Sequence, residues 1–251
     1  MKFARYWAHG ETAYGVVEGD TVHQITTTPF QPYTVTDHQH RLSEVRLLVP
    51  CQPTKALAIG LNYKSHIAGA EPPKQPEPFW KPSHCIIGTE EAIVIPKNSG
   101  RVDEEGELVV VMGKRCKRVS ADQSLDYVLG YTCGNDVSAR VWQRGDLQWW
   151  RAKSSDTFGP VGPFIATNLD PAKLMLRVRV NGKEVQASST GDLVYGVPTL
   201  VSAISQSVTL EPGDLIFTGT PGRTTELHAG DVVEVEISDI GVLKNPVTAE
   251  E

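Results

Sequence analysis

The stretch Val102-Asp103-Glu104-Glu105-Gly106-Glu107-Leu108-Val109-Val110-Val111-Met112-Gly113 sets four carboxylates against five successive apolar residues. It reads as a buried strand entered through an acidic mouth. Side chains alternate along a strand, so Glu105 and Glu107 project from one face with Gly106 between them. Two carboxylates that close repel unless a proton or a cation lies between them. A hard divalent ion such as Mg²⁺ suits the position, because it takes oxygen ligands at about 2.0–2.1 Å and keeps waters that a substrate can displace. A solvated acidic turn ahead of a core strand accounts for the same spacing, and E-x-E alone is a weak signal.

Four further segments carry residue types that could act with this pair. Gly60-Leu61-Asn62-Tyr63-Lys64-Ser65-His66 delivers a histidine just past a short apolar run. Gly134-Asn135-Asp136-Val137-Ser138-Ala139-Arg140 puts Asp136 at a strand end, ahead of a helix. Lys153 stands beside a Gly- and Pro-ordered loop, and Thr220 follows the apolar run Leu215-Ile216-Phe217. Each has a plainer explanation by itself. His66 could be a hydrogen-bonded surface residue, Asp136 a helix N-cap, Lys153 a solvated charge and Thr220 a turn residue. Other chemistries find no pattern: there is no G-x-G-x-x-G, no phosphate loop, no EF-hand loop and no G-x-S-x-G.

The elements that must hold these residues are mostly strands. Lys2–Trp7, Ala13–Val17 and Thr21–Ile25 read as short strands, with a polar connection following to about Leu48. The prolines of Val49-Pro50-Cys51-Gln52-Pro53 mark a boundary, giving a small N-terminal β-rich domain over 1–50 and a larger domain over 51–251. Lys55–Ile59 is a strand, and the five prolines between Glu71 and Pro82 predict a long irregular loop. Ala92–Ile95 and Glu107–Met112 are strands. Ser120 and Gln123 form a capping box that predicts a helix to about Leu129. Tyr131–Cys133 is a strand, Ser138–Trp150 a helix, Phe164–Thr167 and Leu174–Val180 strands, and Val197–Ser207 an amphipathic helix. Gly-Asp turns launch Leu215–Thr218 and Val232–Ile237. Dispersed helices among many strands favour a β-rich α+β fold over a doubly wound sheet.

At 251 residues with 40% hydrophobic and 22% charged content, the chain is an ordinary globular protein with enough length for a sizeable core. A formal net charge of −6 argues against nucleic acid or an anionic membrane as partner. No secretory leader pattern precedes the first strand, and no apolar run is long enough to span a bilayer. The four cysteines form no C-x-x-C pair, which argues for reduced thiols. A cytoplasmic location is expected.

Taken in order, G-L-N-Y-x-x-H, E-x-E-L, G-Y-T-x-x-N-D-V-S-A-R, K-S-x-D-T-F-x-P-x-G-P and P-G-D-L-I-x-T-G-T-P resemble the fumarylacetoacetate hydrolase family from about Lys55 to Val247. The resemblance implies a mixed, barrel-like β-sheet roll, assembled as a homodimer. It implies Mg²⁺ or Mn²⁺ held by Glu105, Glu107 and Asp136. Lys153, Thr220, Arg140, Gln143 and Tyr63 would contact a small-molecule 2-oxo acid, and His66 would be the catalytic base. The expected reaction is C–C cleavage of a 2-oxo or 1,3-dicarbonyl acid through a metal-stabilised enolate, of acylpyruvate hydrolase or oxaloacetate decarboxylase type. An isomerase or hydratase using the same enolate is the alternative, and a binding protein with little turnover the third.

One departure bears on that choice. Hydrolases of this family carry H-x-x-E, in which the acid orients the histidine; here Gly69 stands three residues after His66. Either Glu71 swings in as a substitute or His66 works without an acid. Loss of the acid weakens hydrolysis, which needs activated water, more than decarboxylation.

Overall fold

The computed structural model describes residues 1–67, 69 and 71–251. The chain opens with a four-stranded meander, β1 (Lys2–Ala8), β2 (Glu11–Glu18), β3 (Thr21–Ile25) and β4 (Val35–Arg41), turned at Gly10 and Gly19, both at positive φ. The segment expected to be an irregular polar connection therefore contains β4, whose mostly exposed residues reflect an outer strand. The short β5 (Arg46–Leu47) pairs with β1.

β6 (Ala56–Gly60) is followed by β7 (Glu77–Lys81), which corrects the expectation of an unbroken loop to Pro82. β7 pairs only with β6 and ends the sheet, and an edge strand tolerates Pro78 because its missing N–H costs no ladder bond on the outer side. β8 (Ile86–Ile87), β9 (Ile93–Ile95) and β10 (Val102–Asp103) lead to β11 (Gly106–Met112). The expected helix over 120–129 is absent. Ser120 Oγ engages the Gln123 side chain at 3.2 Å rather than a backbone amide, one 3₁₀ turn covers Ser124–Tyr127, and Val128 already belongs to β12 (Val128–Asn135).

β13 (Ser138–Ala139), α1 (Arg140–Gly145) and α2 (Trp150–Ser154) replace the single helix expected over 138–150. The break lies at Gly145 and at Trp149, which adopts φ +56°, and the Arg151 guanidinium clasps Asp146 across it at 2.8 and 2.9 Å. β14 (Gly159–Ala166), β15 (Met175–Val180), β16 (Lys183–Ser189), α3 (Val197–Ser207), β17 (Leu215–Phe217), β18 (Val232–Ile237) and β19 (Gly241–Ala249) complete the chain.

The fold is β-rich and mixed. A 12-stranded sheet runs β4-β3-β2-β1-β14-β12-β11-β17-β6-β7, with β5 added beside β1 and β8 beside β14, and a five-stranded sheet runs β16-β15-β18-β19-β9. Both are open, ending on edge strands instead of closing into a barrel. The meander is continuous with the larger sheet through the β1–β14 pairing. β11 explains its own sequence. Leu108, Val110 and Met112 enter the core shared with α3 and the five-stranded sheet, while Val109 and Val111 face a second core with Ala56, Ala58, Leu215 and Phe217. A strand buried on both faces needs an uninterrupted apolar run. All four cysteines are buried and free, and no helix among the described residues is long and apolar enough to cross a membrane.

Candidate metal and active site

The acidic mouth is built by two neighbouring antiparallel strands. β11 pairs with β12 so that Gly106 faces Asn135 and Glu107 faces Gly134. Asp136, one residue past β12, therefore arrives beside Glu105 and Glu107. The junction is pinned by the Asp136 amide donating to the Glu105 carbonyl and the Glu105 amide donating to Asn135 Oδ1, both at 2.9 Å. Gly106 lets this strand end approach the second sheet, since a Cβ there would lie 2.3 Å from Val178 Cγ2.

Glu105, Glu107 and Asp136 are buried, and each offers an oxygen within 4.8 Å of those of the others. The cations around them are unevenly shared. Lys153, carried inward by α2, contacts Glu105 Oε2 and donates to Asp136 Oδ2 at 2.7 Å. Arg140 Nη1 lies 2.7 Å from Glu105 Oε1. Among the described residues, Glu107 receives only the Gly219 amide, at 2.6 Å, from the loop after β17. Burial would raise the Glu105 carboxyl, but the charges of Lys153 and Arg140 hold it below the ordinary range. Burial pushes Glu107 well above that range, and the charges of Asp136 and Glu105 add to it. For Lys153, burial favours the neutral amine, but Asp136 and Glu105 outweigh it and keep the ammonium. Three hard oxygen donors with one lacking a cationic partner fit a divalent ion of the Mg²⁺ or Mn²⁺ type.

Around the triad, Arg140 is locked from several sides. Its Nε donates to Asp103 Oδ2 at 2.9 Å, Nη1 to Gln143 Oε1 at 2.9 Å and Nη2 to Thr224 Oγ1 at 2.8 Å. Asp103 is held in turn by Arg101 and Thr224, at 2.6 and 2.7 Å. Gln143 thus reaches the site by way of Arg140. Thr220 is buried, with its hydroxyl 3.2 Å from Gln186 Nε2 on β16. Tyr63 is fully buried with no partner for its hydroxyl among the described residues. Burial, then the nearby Glu107 charge, raise its phenol above the usual value. Glu104 is buried between the Thr225 and Gly106 amides, and burial pushes it up to about 8.

His66 Nδ1 lies 2.7 Å from the Gly222 carbonyl oxygen, and the Gly222 amide donates to Ser65 Oγ at 3.0 Å. Two bonds thus tie the histidine turn to the loop after β17. Asn62 reinforces the same junction, donating to the Thr218 and Tyr195 carbonyls at 2.8 and 3.1 Å. Glu71 is exposed and makes no hydrogen bond to His66 among the described residues.

Two participants escape a reading of the sequence. Lys81, at the end of edge strand β7, is fully buried with Nζ 2.6 Å from Asp136 Oδ1. Asp103 looks like one more solvent acid yet anchors Arg140. The only hint of Lys81 is a charge among the apolar residues of Pro78-Phe79-Trp80. A cavity of about 1110 Å³ lies elsewhere, between β7 and α2 at Phe79, Trp80, Trp149 and Trp150, and none of the three carboxylates lines it.

Residues 55–248 match the fumarylacetoacetate (FAA) hydrolase C-terminal family, and residues 1–50 match the Rv2993c-like N-terminal family. The chain belongs to the fumarylacetoacetate hydrolase family. It is 41% identical to 5-carboxymethyl-2-hydroxymuconate delta-isomerase of Mycobacterium smegmatis, whose crystal structure superposes with a TM-score of 0.95 over 100% of both chains. It is 41% identical over 227 residues to mitochondrial oxaloacetate tautomerase fahd2 of Xenopus laevis, covering 84% of this chain and 71% of that one. Maleylpyruvate hydrolase of Sphingobium sp. SYK-6, crystallised with manganese(II) and pyruvate, is 30% identical with a TM-score of 0.84 over 100% of both chains. These relatives are enzymes, and among the described residues the buried acidic triad could hold a metal ion.

Proposed function

We propose that this protein moves a proton at the carbon next to the keto group of a 2-oxo acid, interconverting its keto and enol forms, with Mg²⁺ or Mn²⁺ held by Glu105, Glu107 and Asp136. A divalent ion there would supply Lewis-acid stabilisation of the negative charge that develops on the keto oxygen. The observation that carries the reading is the His66 contact. A carbonyl oxygen can only accept, so Nδ1 of His66 donates to it, and in the neutral ring Nε2 is the nitrogen left with a lone pair. Nε2 takes the proton from the substrate carbon, the C–H electron pair moves into the new C=C bond, and the C=O pair moves onto oxygen. The Lys153 ammonium lies beside the triad to offset that charge. His66 then returns its proton to oxygen, giving the enol, or to another carbon, giving an isomerised product. Arg140, held rigid by Asp103, offers charge for a substrate carboxylate. The relatives named for tautomerase and isomerase activity support this class.

C–C cleavage is the second reading. Decarboxylation of an oxaloacetate-like acid needs the electron sink without the base, so the same site supports it. Acylpyruvate hydrolysis has less support. Among the described residues no acid bonds His66, whose Nδ1 meets the Gly222 carbonyl, and Glu71 is exposed. A homodimer also remains our proposal.

The test mixes purified protein with Mg²⁺ or Mn²⁺ and freshly dissolved oxaloacetate, following the ultraviolet absorbance of the enol together with pyruvate production. We expect accelerated enol–keto equilibration without pyruvate, lost in His66→Asn. Pyruvate formed as fast as the enol disappears would replace this reading with the second. Metal affinity without either reaction would leave a binding protein.

A further inference from the structure

Lys81 is a charged side chain, wholly out of solvent, to which the chemistry above gives no part. Its Nζ donates to three oxygens: Asp136 Oδ1 at 2.6 Å, the Phe158 carbonyl at 3.0 Å and the Lys153 carbonyl. An ammonium has three donors, so all of them are used. Asp136 meanwhile turns its other oxygen, Oδ2, to the Lys153 ammonium. The two oxygens of one carboxylate are thereby divided between a lysine behind the site and the cation side of the site.

Burying a charge costs several kcal/mol unless it is paired and fully hydrogen-bonded. A fold that keeps Lys81 here, where a leucine or methionine would fill the same apolar wall beside Phe217, retains it for what it bonds. Two of those bonds bear on the site at once. One sets the rotation of a carboxylate in the triad, and another ties down the α2 residue whose side chain crosses to Glu105 and Asp136.

We propose that Lys81 is the positioning residue of the metal centre: by occupying Asp136 Oδ1 and the Lys153 carbonyl, it fixes which oxygen Asp136 offers and where Lys153 stands. It touches neither metal nor substrate. The inference rests on the triad holding a divalent ion. Two opposed effects follow from removing Lys81. Losing a nearby positive charge would strengthen cation binding, whereas losing the restraint on Asp136 would weaken it. Partners of this kind are worth about 10–100-fold in metal affinity, and the direct 2.6 Å bond makes orientation the larger effect.

The experiment titrates Mn²⁺ into the full-length wild-type protein, Lys81→Met and Lys81→Arg by calorimetry, with far-ultraviolet circular dichroism confirming a folded chain. Arginine keeps the charge but cannot place three donors where one Nζ does. We expect both variants to bind Mn²⁺ at least tenfold more weakly than wild type. Affinity that is unchanged or tighter in Lys81→Met overturns the proposal, as does full rescue by Lys81→Arg, which would make the role one of charge alone. If Lys81→Met does not fold, Lys81→Arg decides. A wild-type protein that binds no Mn²⁺ would instead refute the metal reading of the triad itself.

Discussion

Replacing Glu107 with Gln separates the metal reading from a purely structural one, because the two predict opposite signs. Glu107 shares with Glu105 and Asp136 a site in which the oxygens lie within 4.8 Å. At an effective dielectric of about 20, two unit charges at that distance repel by roughly 3 kcal/mol. Lys153, Lys81 and Arg140 are already engaged with Glu105 and Asp136, so Glu107 carries most of the unrelieved repulsion. The bond from the Gly219 amide survives, since a glutamine carbonyl also accepts it. In EDTA, Glu107→Gln should therefore be as stable as wild type or more stable, by at most about 3 kcal/mol. With metal the order reverses. An ion present at 100 times its dissociation constant stabilises the wild type by about 2.7 kcal/mol, worth roughly 5–10 °C in Tm for a chain of this size. Glu107→Gln should lose nearly all of that gain. Thermal unfolding of both proteins in EDTA and in Mn²⁺ reads the four values. A variant destabilised in EDTA, or one that keeps the full metal shift, would refute the assignment of Glu107 as a ligand.

Gly69→Glu restores the H-x-x-E spacing at a position where a Cβ meets nothing within 4 Å, although the φ of +88° imposes some backbone strain. Acylpyruvate hydrolysis should rise with little change in oxaloacetate decarboxylation, and an unchanged ratio of the two rates would count against the dyad reasoning. Gly106→Ala drives a Cβ into Val178 and should cost about 1–3 kcal/mol in urea unfolding. It should also weaken Mn²⁺ binding, because Glu105 and Glu107 flank it. Light scattering should give twice the 27.4 kDa chain mass; a monomer would remove the homodimer proposal.

Much of the fold is legible locally because strands and turns announce themselves over a few residues. The Asn181-Gly182 turn between β15 and β16, the helix Val197–Ser207 and the strand Val232–Ile237 all follow from period and punctuation. Failures occur where distant pairing overrides local preference. Val128 joins β12 because Met112 of β11 pairs with it, and Pro78 is tolerated because β7 ends the sheet. The helix over 138–150 breaks at Trp149, and α2 carries Lys153 to the carboxylates in a new direction.

The site divides along the same line. The amino-acid sequence alone determined that Glu105 and Glu107 share a face, since alternation along a strand is a property of the backbone. It also carried the ordered motifs that mark the family. Only the tertiary structure decided that Lys81 and Asp103 pack against the triad and its arginine, and that the Gly222 carbonyl, not Glu71, meets His66 Nδ1. Those choices depend on atoms brought together across 37 to 156 positions of chain. A buried charge is recognised by what surrounds it, and no local pattern records that.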